Sequence, residues 1–466
     1  MKLSTLGLAL SMTVAAAIAS IACTAPVELD GGSEKRSTKA GGDDDDDSSG
    51  TKTGDDGTKV VTTKTGIPCD VDAILKKNCQ TCHGEEPVSG ANTSLVTWDD
   101  MMKAGPGAQS DKKVWELVKA RIHDDARPMP AAPAERIQGK DLEVMEKWFA
   151  DGATSSEATC TAEAPADAVK PLGCKVDTVL KASEKFTMPP NAALDSYMCF
   201  GVDVNVPKKR HVIGLAPNVD NKRIVHHILL FQTEKAEASK PFECDAFGSA
   251  AWKLVAGWAP GGNNLELPPE AGFPQNAGTT HWVLQIHYNN ATNASGQQDN
   301  SGYSLCTTDE LRPNDAGVLA FGSTKIDLPP RSETTIKCDY TLNDKFNGVK
   351  MFNASPHMHT RGLAMSTERL AGGNGAPQPV FEQKNFSFEA QSNYPIDVSV
   401  QKGDVMRTRC KYKNPGDTKI GFGEGTNDEM CFNFIGYYPA IPDRTPLGLP
   451  LFTWVTPSAM AKCSTE

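Results

Sequence analysis

The sequence has no excess of positive charge. It contains 47 lysines and arginines against 58 aspartates and glutamates, a formal net charge of −11 at pH 7. A general nucleic-acid-binding surface is basic, so that function class is disfavoured. Long apolar runs are also scarce, because residues 6–22 form the one uncharged stretch that approaches the length of a membrane span. We therefore expect most of the 466 residues to fold in water, as two to four domains of about 100–200 residues each.

The first 23 residues are predicted to be a signal peptide. A run of this length after a basic start is typical of the apolar part of a secretory signal. It ends in Ser20, Ile21, Ala22 and Cys23, which resembles a bacterial lipobox. We expect a lipid at Cys23 that tethers the protein to a membrane, and cleavage after Ala22 without lipid is the alternative.

Residues 24–66 are predicted to be a disordered polar linker. They are rich in Gly, Ser, Thr and Lys and contain the aspartate run 43–47. Such a composition buries too little apolar surface to fold. A solvated, self-repelling segment is favoured over a metal-binding patch for the aspartates.

A haem-attachment motif follows the linker. Cys79, Cys82 and His83 form the pattern Cys-x-x-Cys-His. Two thiols at this spacing can bond both vinyl groups of a porphyrin, and the adjacent histidine can bind its iron. Apolar residues predict a short helix over 72–78 and a second one over 142–149.

Residues 67–160 resemble a small class I cytochrome c domain, which is all-α. The resemblance implies one covalently bound c-type haem, with His83 and Met129 as its axial ligands. His123 is the alternative sixth ligand, and a packing role in the core is the alternative for Met129.

The remainder of the chain is predicted to be β-rich. Apolar, β-branched or aromatic runs separated by Pro, Gly and Asn predict strands at 224–231, 282–288, 317–321, 349–352 and 432–438. This length is sufficient for two β-sandwiches, which we place at residues 170–310 and 311–466. The predicted fold is thus multidomain, a small all-α domain followed by two all-β sandwiches.

Histidines concentrate at strand positions of this β-rich part. Because strand side chains alternate, His357 and His359 lie on one face and can share a metal ion. The adjacent His226 and His227 would face opposite sides of a regular strand. Binding one ion with both therefore needs a strand end or a bulge, and either could instead be a hydrogen-bonded structural histidine.

Two further histidines are given non-catalytic roles. His281 lies six residues before His287 and is predicted to be an ordinary strand histidine, with an outer-sphere role as the alternative. His211 follows three basic residues and is predicted to be solvated.

Together with the Asp-Glu-Met-Cys segment 428–431, the histidine motifs resemble the copper type II monooxygenases in order and spacing, over roughly residues 174–463. The resemblance implies two jelly-roll-like sandwiches, each presenting a copper ion to a shared cleft. It implies an electron-transfer copper held by His226, His227 and His287, and a dioxygen-binding copper held by His357, His359 and Met430. A thioether favours Cu(I), whereas without the resemblance Met430 would be taken as a core residue.

The resemblance implies a monooxygenase that hydroxylates a C–H bond of a small-molecule or peptide-like substrate with dioxygen. Family members take electrons from ascorbate or another external reductant. Because this chain carries its own haem motif, we predict that the haem feeds the all-histidine copper. The alternatives are an extracytoplasmic haem and copper electron-transfer or copper-binding protein without hydroxylase activity, and a cytochrome fused to an adhesion sandwich.

The chain departs from the peptide-amidating branch of this family at two positions. That branch anchors the substrate carboxylate with an arginine two residues before the His-x-His and a tyrosine four residues after the methionine. Here these positions hold Ser355 and Phe434. A carboxylate-anchored peptide is therefore disfavoured, and Phe432 and Phe434 predict an apolar pocket.

Ten of the 13 cysteines remain after the lipid and haem positions are set aside (13 − 3). Sequence alone cannot choose their pairing. The family resemblance implies Cys199–Cys244, Cys338–Cys463 and Cys410–Cys431; Cys174–Cys306 is compatible with it, and Cys69–Cys160 would then join the ends of the haem module. Haem attachment and disulfides both predict a location outside the cytoplasm, in a bacterial periplasm or cell envelope.

Overall fold

The structure is a computed structural model. It describes residues 50–53, 59–88, 91–125, 127–131, 134–163, 171–245, 248–249, 252–290, 295–388, 390–442 and 453–466. The described residues belong to one compact unit, Ser48–Glu466. The predicted signal peptide, the lipid position Cys23 and residues 24–49 of the predicted linker lie outside the described residues.

A small helical module precedes the β-rich part. Its α-helices are α1 Cys69–Asn78, α2 Trp98–Met102, α3 Val114–Ile122 and α4 Gly139–Ala150, with a 3₁₀ turn at Gly107–Gln109. They enclose a core that includes Leu75, Met101, Met145 and Trp148. The two predicted helices lie within α1 and α4, so the apolar patterns located both elements.

A small sheet pairs the chain before the helical module with the chain at the module's C-terminal end. The sheet contains β1 Gly50–Thr53, β2 Lys59–Thr63 and β3 Cys160–Glu163, in that order. The linker prediction is therefore wrong for its C-terminal part. Alternating valines and threonines in β2 suit a strand, and the Cys69–Cys160 disulfide holds the partner strand nearby.

The first β-sandwich contains thirteen described strands. These are β4 Thr178–Lys181, β5 Phe186–Thr187, β6 Asp195–Val206, β7 Arg210–Asn218, β8 Val225–Thr233, β9 Phe242–Glu243, β10 Lys253–Trp258, β11 Leu265–Glu266, β12 Ala271–Gln275, β13 Gly278–Asn289, β14 Gln298–Asp299, β15 Gly302–Thr308 and β16 Asn314–Asp315. One sheet has the order β10-β8-β13-β6-β9, and the other has the order β16-β12-β7-β15-β4.

The second β-sandwich follows the same plan. Its strands are β17 Gly317–Ser323, β18 Asp327–Leu328, β19 Ser332–Thr341, β20 Val349–His357, β21 Gly362–Leu370, β22 Pro377–Gln383, β23 Tyr394–Val400, β24 Val405–Asn414, β25 Ile420–Gly421, β26 Cys431–Tyr438 and β27 Lys462–Thr465, with a short helix α5 at Thr456–Met460. One sheet has the order β17-β26-β20-β23, and the other has the order β22-β21-β24-β19-β27. The five strands predicted from apolar runs all correspond to observed strands.

The alternation of side chains decides what each sheet face contacts. In β13, Leu284 and Ile286 pack inside the first sandwich, whereas Val283 packs in a cluster shared with the second sandwich. That shared cluster includes Phe432 of β26. The outer faces of the sheets β10-β8-β13-β6-β9 and β17-β26-β20-β23 therefore meet, and residues on these faces lie between the two sandwiches.

Five disulfides connect ten cysteines. They are Cys69–Cys160, Cys174–Cys306, Cys199–Cys244, Cys338–Cys463 and Cys410–Cys431. All five predicted pairings are confirmed. Stable disulfides of this number indicate an extracytoplasmic protein. Across the described ranges, no helix has both the length and the apolar character that a bilayer span requires.

Candidate metal centres

The first candidate centre lies on the face of the first sandwich that meets the second. It contains His226, His227 and His287, each offering a ring nitrogen within 4.8 Å of the others. The rings of His227 and His287 have centroids 4.8 Å apart, and those of His226 and His287 are 5.1 Å apart. Three imidazoles at this separation suit a copper ion.

A β-bulge explains how two adjacent histidines reach one centre. In the pairing of β8 with β13, His227 stands opposite His287, but the next pair is Val225 with Tyr288. His226 is the extra residue in β8, and it lies at the start of the strand. The bulge rotates its side chain out of the regular alternation, as the sequence prediction required.

Asp195 orients the His287 ring, although it does not belong to the histidine cluster. Its Oδ1 lies 2.9 Å from Nε2 of His287, which leaves Nδ1 as the nitrogen that faces the other histidines. The Tyr197 ring stacks on His287 with a centroid distance of 4.3 Å. A carboxylate behind a metal-binding imidazole orients the ring and raises its basicity.

Both ring nitrogens of His226 are buried and have no hydrogen-bond partner. Burial and the neighbouring histidines hold the pKa values of His226 and His227 well below the ordinary value, so both rings are neutral at pH 7. Buried polar atoms are normally paired. A bound metal ion would supply the partner that the described protein atoms do not.

The second candidate centre combines His357 at the end of β20, His359 two residues beyond it, and Met430 directly before β26. His357 and His359 have ring centroids 5.3 Å apart. Nδ1 of His357 donates to Oε1 of Gln391 at 2.8 Å, and Nδ1 of His359 donates to the Asp428 carbonyl oxygen at 3.2 Å. These bonds fix both tautomers and leave Nε2 of each ring to bind a metal.

The chemistry of this second histidine pair also suits a metal. Burial lowers the pKa of His357 to about 4 and that of His359 to about 3, so both imidazoles are neutral and their lone pairs are available. Met430 is buried and lines the same cleft. Two imidazoles and a thioether form a donor set that accepts copper in its reduced state.

Glu429 ties together the two segments that carry these residues. Its carboxylate accepts hydrogen bonds from the backbone N–H groups of His359 at 2.9 Å, Arg361 at 2.6 Å and Met430 at 3.2 Å. Burial raises the pKa of the carboxyl to about 7. The Cys410–Cys431 disulfide anchors the strand next to Met430.

The two candidate centres are adjacent. The rings of His227 and His357 have centroids 6.1 Å apart. One cleft is lined by His227, His357, His359 and Met430. All six predicted copper-binding residues are thus brought together where the two sandwiches meet.

A hydrogen-bonded contact holds the sandwiches in this arrangement. Asp195 of the first sandwich accepts from Thr426 of the second, through the side-chain hydroxyl at 2.7 Å and the backbone N–H at 3.0 Å. The Tyr197 hydroxyl donates to the Glu424 carbonyl oxygen at 2.5 Å. The loop that makes these bonds leads directly to Met430, so each centre is positioned partly by the other sandwich.

The haem-attachment motif closes the end of α1. The backbone N–H of His83 donates to the Cys79 carbonyl oxygen at 2.9 Å. Nδ1 of His83 donates to the Thr93 carbonyl oxygen at 2.7 Å, and burial lowers the pKa of this imidazole. Cys79 and Cys82 are the two described cysteines that lie outside disulfides. Two thiols and an oriented neutral imidazole fit covalent haem attachment.

The two alternatives for the sixth haem ligand differ in their surroundings. Met129 is half-buried and is followed by Pro130. His123 is exposed, and its Nε2 lies 2.5 Å from Oε1 of Glu146.

The remaining two histidines have structural contacts. His281 is partly exposed and pairs with Asp203 at 2.7 Å, as expected for a strand histidine. The prediction for His211 is wrong, because the residue is buried. Its Nε2 lies 2.8 Å from Oδ1 of Asp315, and its Nδ1 accepts from the Arg312 N–H at 3.1 Å. The three basic residues before His211 lie at and just before the start of β7, and their charge does not predict the burial of His211, because strand side chains alternate between faces.

Comparison with known protein families agrees with this geometry. The N-terminal domain model of the copper type II ascorbate-dependent monooxygenases matches residues 181–295, and the C-terminal domain model matches residues 314–446. Together they span more than half of the chain. The chain therefore belongs to the copper type II ascorbate-dependent monooxygenase family, as the motifs predicted.

Individual relatives are 29% to 30% identical to this chain over the aligned residues. Dopamine beta-hydroxylase of Rattus norvegicus is 29% identical over 271 residues, covering 52% of this chain and 43% of that protein. DBH-like monooxygenase protein 2 of Mus musculus is 30% identical, covering 54% and 44%. Tyramine beta-hydroxylase of Caenorhabditis briggsae is 29% identical, covering 50% and 43%. The match spans less than half the length of each relative.

Among solved structures, the infectious bursal disease virus VP2 subviral particle covers 57% of this chain and 72% of its own, at 10% identity. Its TM-score of 0.16 is too low to support an inference.

Sequence reasoning missed the residues that orient the candidate ligands. Asp195, Gln391 and Glu429 each hold a histidine or its backbone from outside the centre. Glu429 lies within a matched motif, which is a signal of its importance. Asp195 and Gln391 carry no comparable signal, because they lie far in sequence from the histidines that they contact.

Proposed function

We propose that this protein is a copper-dependent monooxygenase that hydroxylates a C–H bond of a small-molecule substrate. The observation that supports it best is the convergence of six suitable ligands, three from each sandwich, where the sandwiches meet: His226 and His287 cluster with His227, and His227 lines one cleft with the other three. In this proposal, His226, His227 and His287 hold the electron-transfer copper, and His357, His359 and Met430 hold the copper that uses dioxygen.

The proposed reaction inserts one oxygen atom of dioxygen into the C–H bond and releases the other as water. It consumes two electrons and two protons per turnover. Copper supplies the change of oxidation state that dioxygen chemistry requires. The protein supplies neutral imidazoles in fixed tautomers, a buried thioether, and a mainly apolar cleft.

Met430 is the residue whose replacement tests this assignment. A Met430→Leu variant keeps the apolar volume but removes the sulfur. We expect it to retain one tightly bound copper, to lose hydroxylation with ascorbate as reductant, and to leave the rest of the fold unchanged. Met351→Leu is the matched control, because Met351 is equally buried in the core of the same sandwich.

Two results would contradict the proposal. Full turnover by the Met430→Leu variant would remove the site assignment. Copper binding by the parent protein without oxygen consumption under reducing conditions would favour the alternative function, an electron-transfer or copper-binding protein.

We propose that the helical module carries a covalent c-type haem, with His83 and Met129 as axial ligands. The oriented His83 ring and the two thiols outside disulfides support this. Expression with a haem-maturation system should give a covalent haem signal on a denaturing gel. The Cys79→Ser, Cys82→Ser double variant should lose it, and a His123→Gln variant should keep the axial-ligand spectrum of the parent.

We also propose that this haem delivers electrons to the all-histidine copper. The segment before Met129 touches the second sandwich, since Arg127 donates from Nη2 to the Thr360 carbonyl oxygen at 3.0 Å. A groove at this contact is lined by Pro128 and Phe388. The Phe388 ring stacks on His226 with a centroid distance of 4.4 Å. A short chain of contacts thus leads from the haem module to a candidate copper ligand.

Reoxidation of the reduced haem by dioxygen tests this delivery. In a stopped-flow experiment, copper-loaded protein should reoxidise its haem much faster than copper-stripped protein. Phe388→Leu should slow the copper-dependent phase, whereas Phe386→Leu in the same groove should not. Equal rates with and without copper would show that an external reductant such as ascorbate is needed.

We propose that the mature protein is a lipoprotein of the bacterial periplasm or cell envelope, anchored through Cys23. The lipobox-like sequence supports this assignment. Mass spectrometry of the mature N-terminus would show a diacylated cysteine, and an unmodified terminus would refute the anchor.

A further inference from the structure

The cleft beside the candidate copper ligands carries information about the substrate. Its described lining is mainly apolar and includes Leu229, Leu254, Trp258, Val318 and Phe434. Among the described residues that line it, no aspartate, glutamate, lysine or arginine is present. Away from the candidate copper ligands, a carboxylate or ammonium group would lose its water here without meeting an oppositely charged side chain, which is strongly unfavourable.

One polar track crosses this apolar lining. Asn353 donates from Nδ2 to Oγ of Ser355 at 3.0 Å, and the Ser355 hydroxyl donates to Oδ1 of Asn393 at 2.5 Å. Asn393 donates in turn to the Asn263 carbonyl oxygen at 3.2 Å. The hydrogen bonds therefore all run in one direction, from Asn353 towards the Asn263 carbonyl oxygen, and all the side chains of the track are neutral.

The polar track retains capacity for one more partner. An amide has two N–H donors and a carbonyl oxygen with two lone pairs. The Asn353 side chain uses one N–H in the bond to Ser355. Its second N–H and its Oδ1 can serve a group that both donates and accepts, such as a hydroxyl, or a carbonyl that accepts.

Strand geometry places the track and an aromatic surface beside the candidate ligands. Asn353, Ser355 and His357 follow one another at alternate positions of β20, and all three line the cleft. Ser355 stands directly opposite Phe434 of β26. The ring of Phe434 has its centroid 6.2 Å from that of His357. A substrate bound to the track would present its apolar body to these rings.

We propose that the substrate is an uncharged molecule with an aromatic or similarly planar apolar body and one neutral hydrogen-bonding group, which binds at Asn353 and Ser355. This inference rests on the proposed function, because it uses the same cleft. It assigns specificity to three neutral residues, Asn353, Ser355 and Asn393. A site built to hydrogen-bond a neutral group, with no counter-charge, discriminates against charged analogues of the same size.

Three probes of nearly equal size separate the possibilities. They are 2-phenylethanol, which is neutral, 2-phenylethylamine, which is a cation, and phenylacetate, which is an anion at pH 7. Calorimetric titration of the full-length, copper-loaded and reduced protein without oxygen would give their affinities. We expect 2-phenylethanol to bind at least tenfold more tightly than either charged probe. Equal or tighter binding of a charged probe, or binding of none of the three, would overturn the inference.

Two variants test the residues themselves. Ser355→Arg should reverse the order of phenylacetate and 2-phenylethanol, because it adds the missing counter-charge. Ser399→Arg is the control, since Ser399 lies exposed on β23 and does not line the cleft. Asn353→Leu should weaken 2-phenylethanol at least fivefold while leaving ethylbenzene unchanged. Unchanged affinities in both cleft variants would remove the assignment.

Failure of this inference is distinguishable from failure of the proposed function. Copper content and ascorbate-driven oxygen uptake are measured on the same preparations. If the parent protein prefers 2-phenylethanol but shows no turnover, the result would contradict the proposed monooxygenase function and leave the substrate inference standing. A preference for a charged probe in protein that binds two copper ions and consumes oxygen would contradict the inference alone.

Discussion

Asp195 is predicted to control the affinity of the all-histidine centre without belonging to it. Its carboxylate accepts from His287 at 2.9 Å and from Thr426 twice, at 2.7 and 3.0 Å. Burial disfavours the charged form, but these hydrogen bonds outweigh burial and lower the pKa of Asp195 below its ordinary value. The residue is therefore a carboxylate at neutral pH, and its charge acts on His287.

Asp195→Asn removes that charge and keeps the shape. The asparagine oxygen can replace one acceptor, but its NH₂ group would face a hydrogen-bond donor. Losing one charge-assisted hydrogen bond costs about 2 kcal/mol. At about 1.4 kcal/mol for each factor of ten, this corresponds to an affinity lower by about 30-fold. Replacing a group behind a metal-binding histidine typically lowers affinity by about 10–100-fold.

Chelator competition in the Met430→Leu background measures this effect at one centre. With the second centre impaired, a titration with Cu(I) under anaerobic conditions reports the all-histidine centre alone. Asp203→Asn is the matched control, because Asp203 makes the same kind of contact with His281 on an exposed part of the same sheet. An Asp195→Asn affinity within threefold of the parent would refute the reasoning, as would equal losses in the control.

Two other carboxylates give sharp expectations. Glu429→Ala leaves three backbone N–H groups without an acceptor and should lower stability by about 3 kcal/mol, measured as a lower urea midpoint of the copper-free protein; an unchanged midpoint would contradict this. Asp404 is buried and accepts from Arg369 at 2.7 Å. Although burial favours its neutral form, its hydrogen bonds lower the pKa of Asp404, so Asp404→Asn should cost about 3 kcal/mol at pH 7. Because the folded pKa lies below the unfolded value of about 3.9, this difference should shrink as pH falls through 4, and a constant difference from pH 7 to pH 3 would refute it.

Much of the β-rich part could be predicted from the sequence. Apolar runs of β-branched residues mark the interiors of strands, so β8, β13 and β26 were located within a few residues. The need for either a strand end or a bulge at His226 and His227 also followed from the period of two, because no regular strand presents two adjacent side chains to one ion. Three of the disulfide pairs followed from the family resemblance, Cys174–Cys306 was compatible with it, and Cys69–Cys160 was the pair that remained.

Other features depend on contacts that no local pattern encodes. His211 is buried because Asp315, about a hundred residues away, supplies its partner. The strand β2 forms because β3 pairs with it across the helical module. Asn353 and Asn393, which we propose for substrate binding, belong to common residue types, and they become informative only when the fold places them in one cleft.

The bulge in β8 also sets a limit on changes of strand length. His226 and His227 together occupy the space that a regular ladder gives to one residue opposite His287. Deleting one of them would let β8 and β13 pair without interruption and would make the sheet more regular. The same deletion would remove one of the three imidazoles. At this position, an alteration that improves the sheet eliminates a candidate metal ligand, so the irregular strand is the form that the proposed copper site requires.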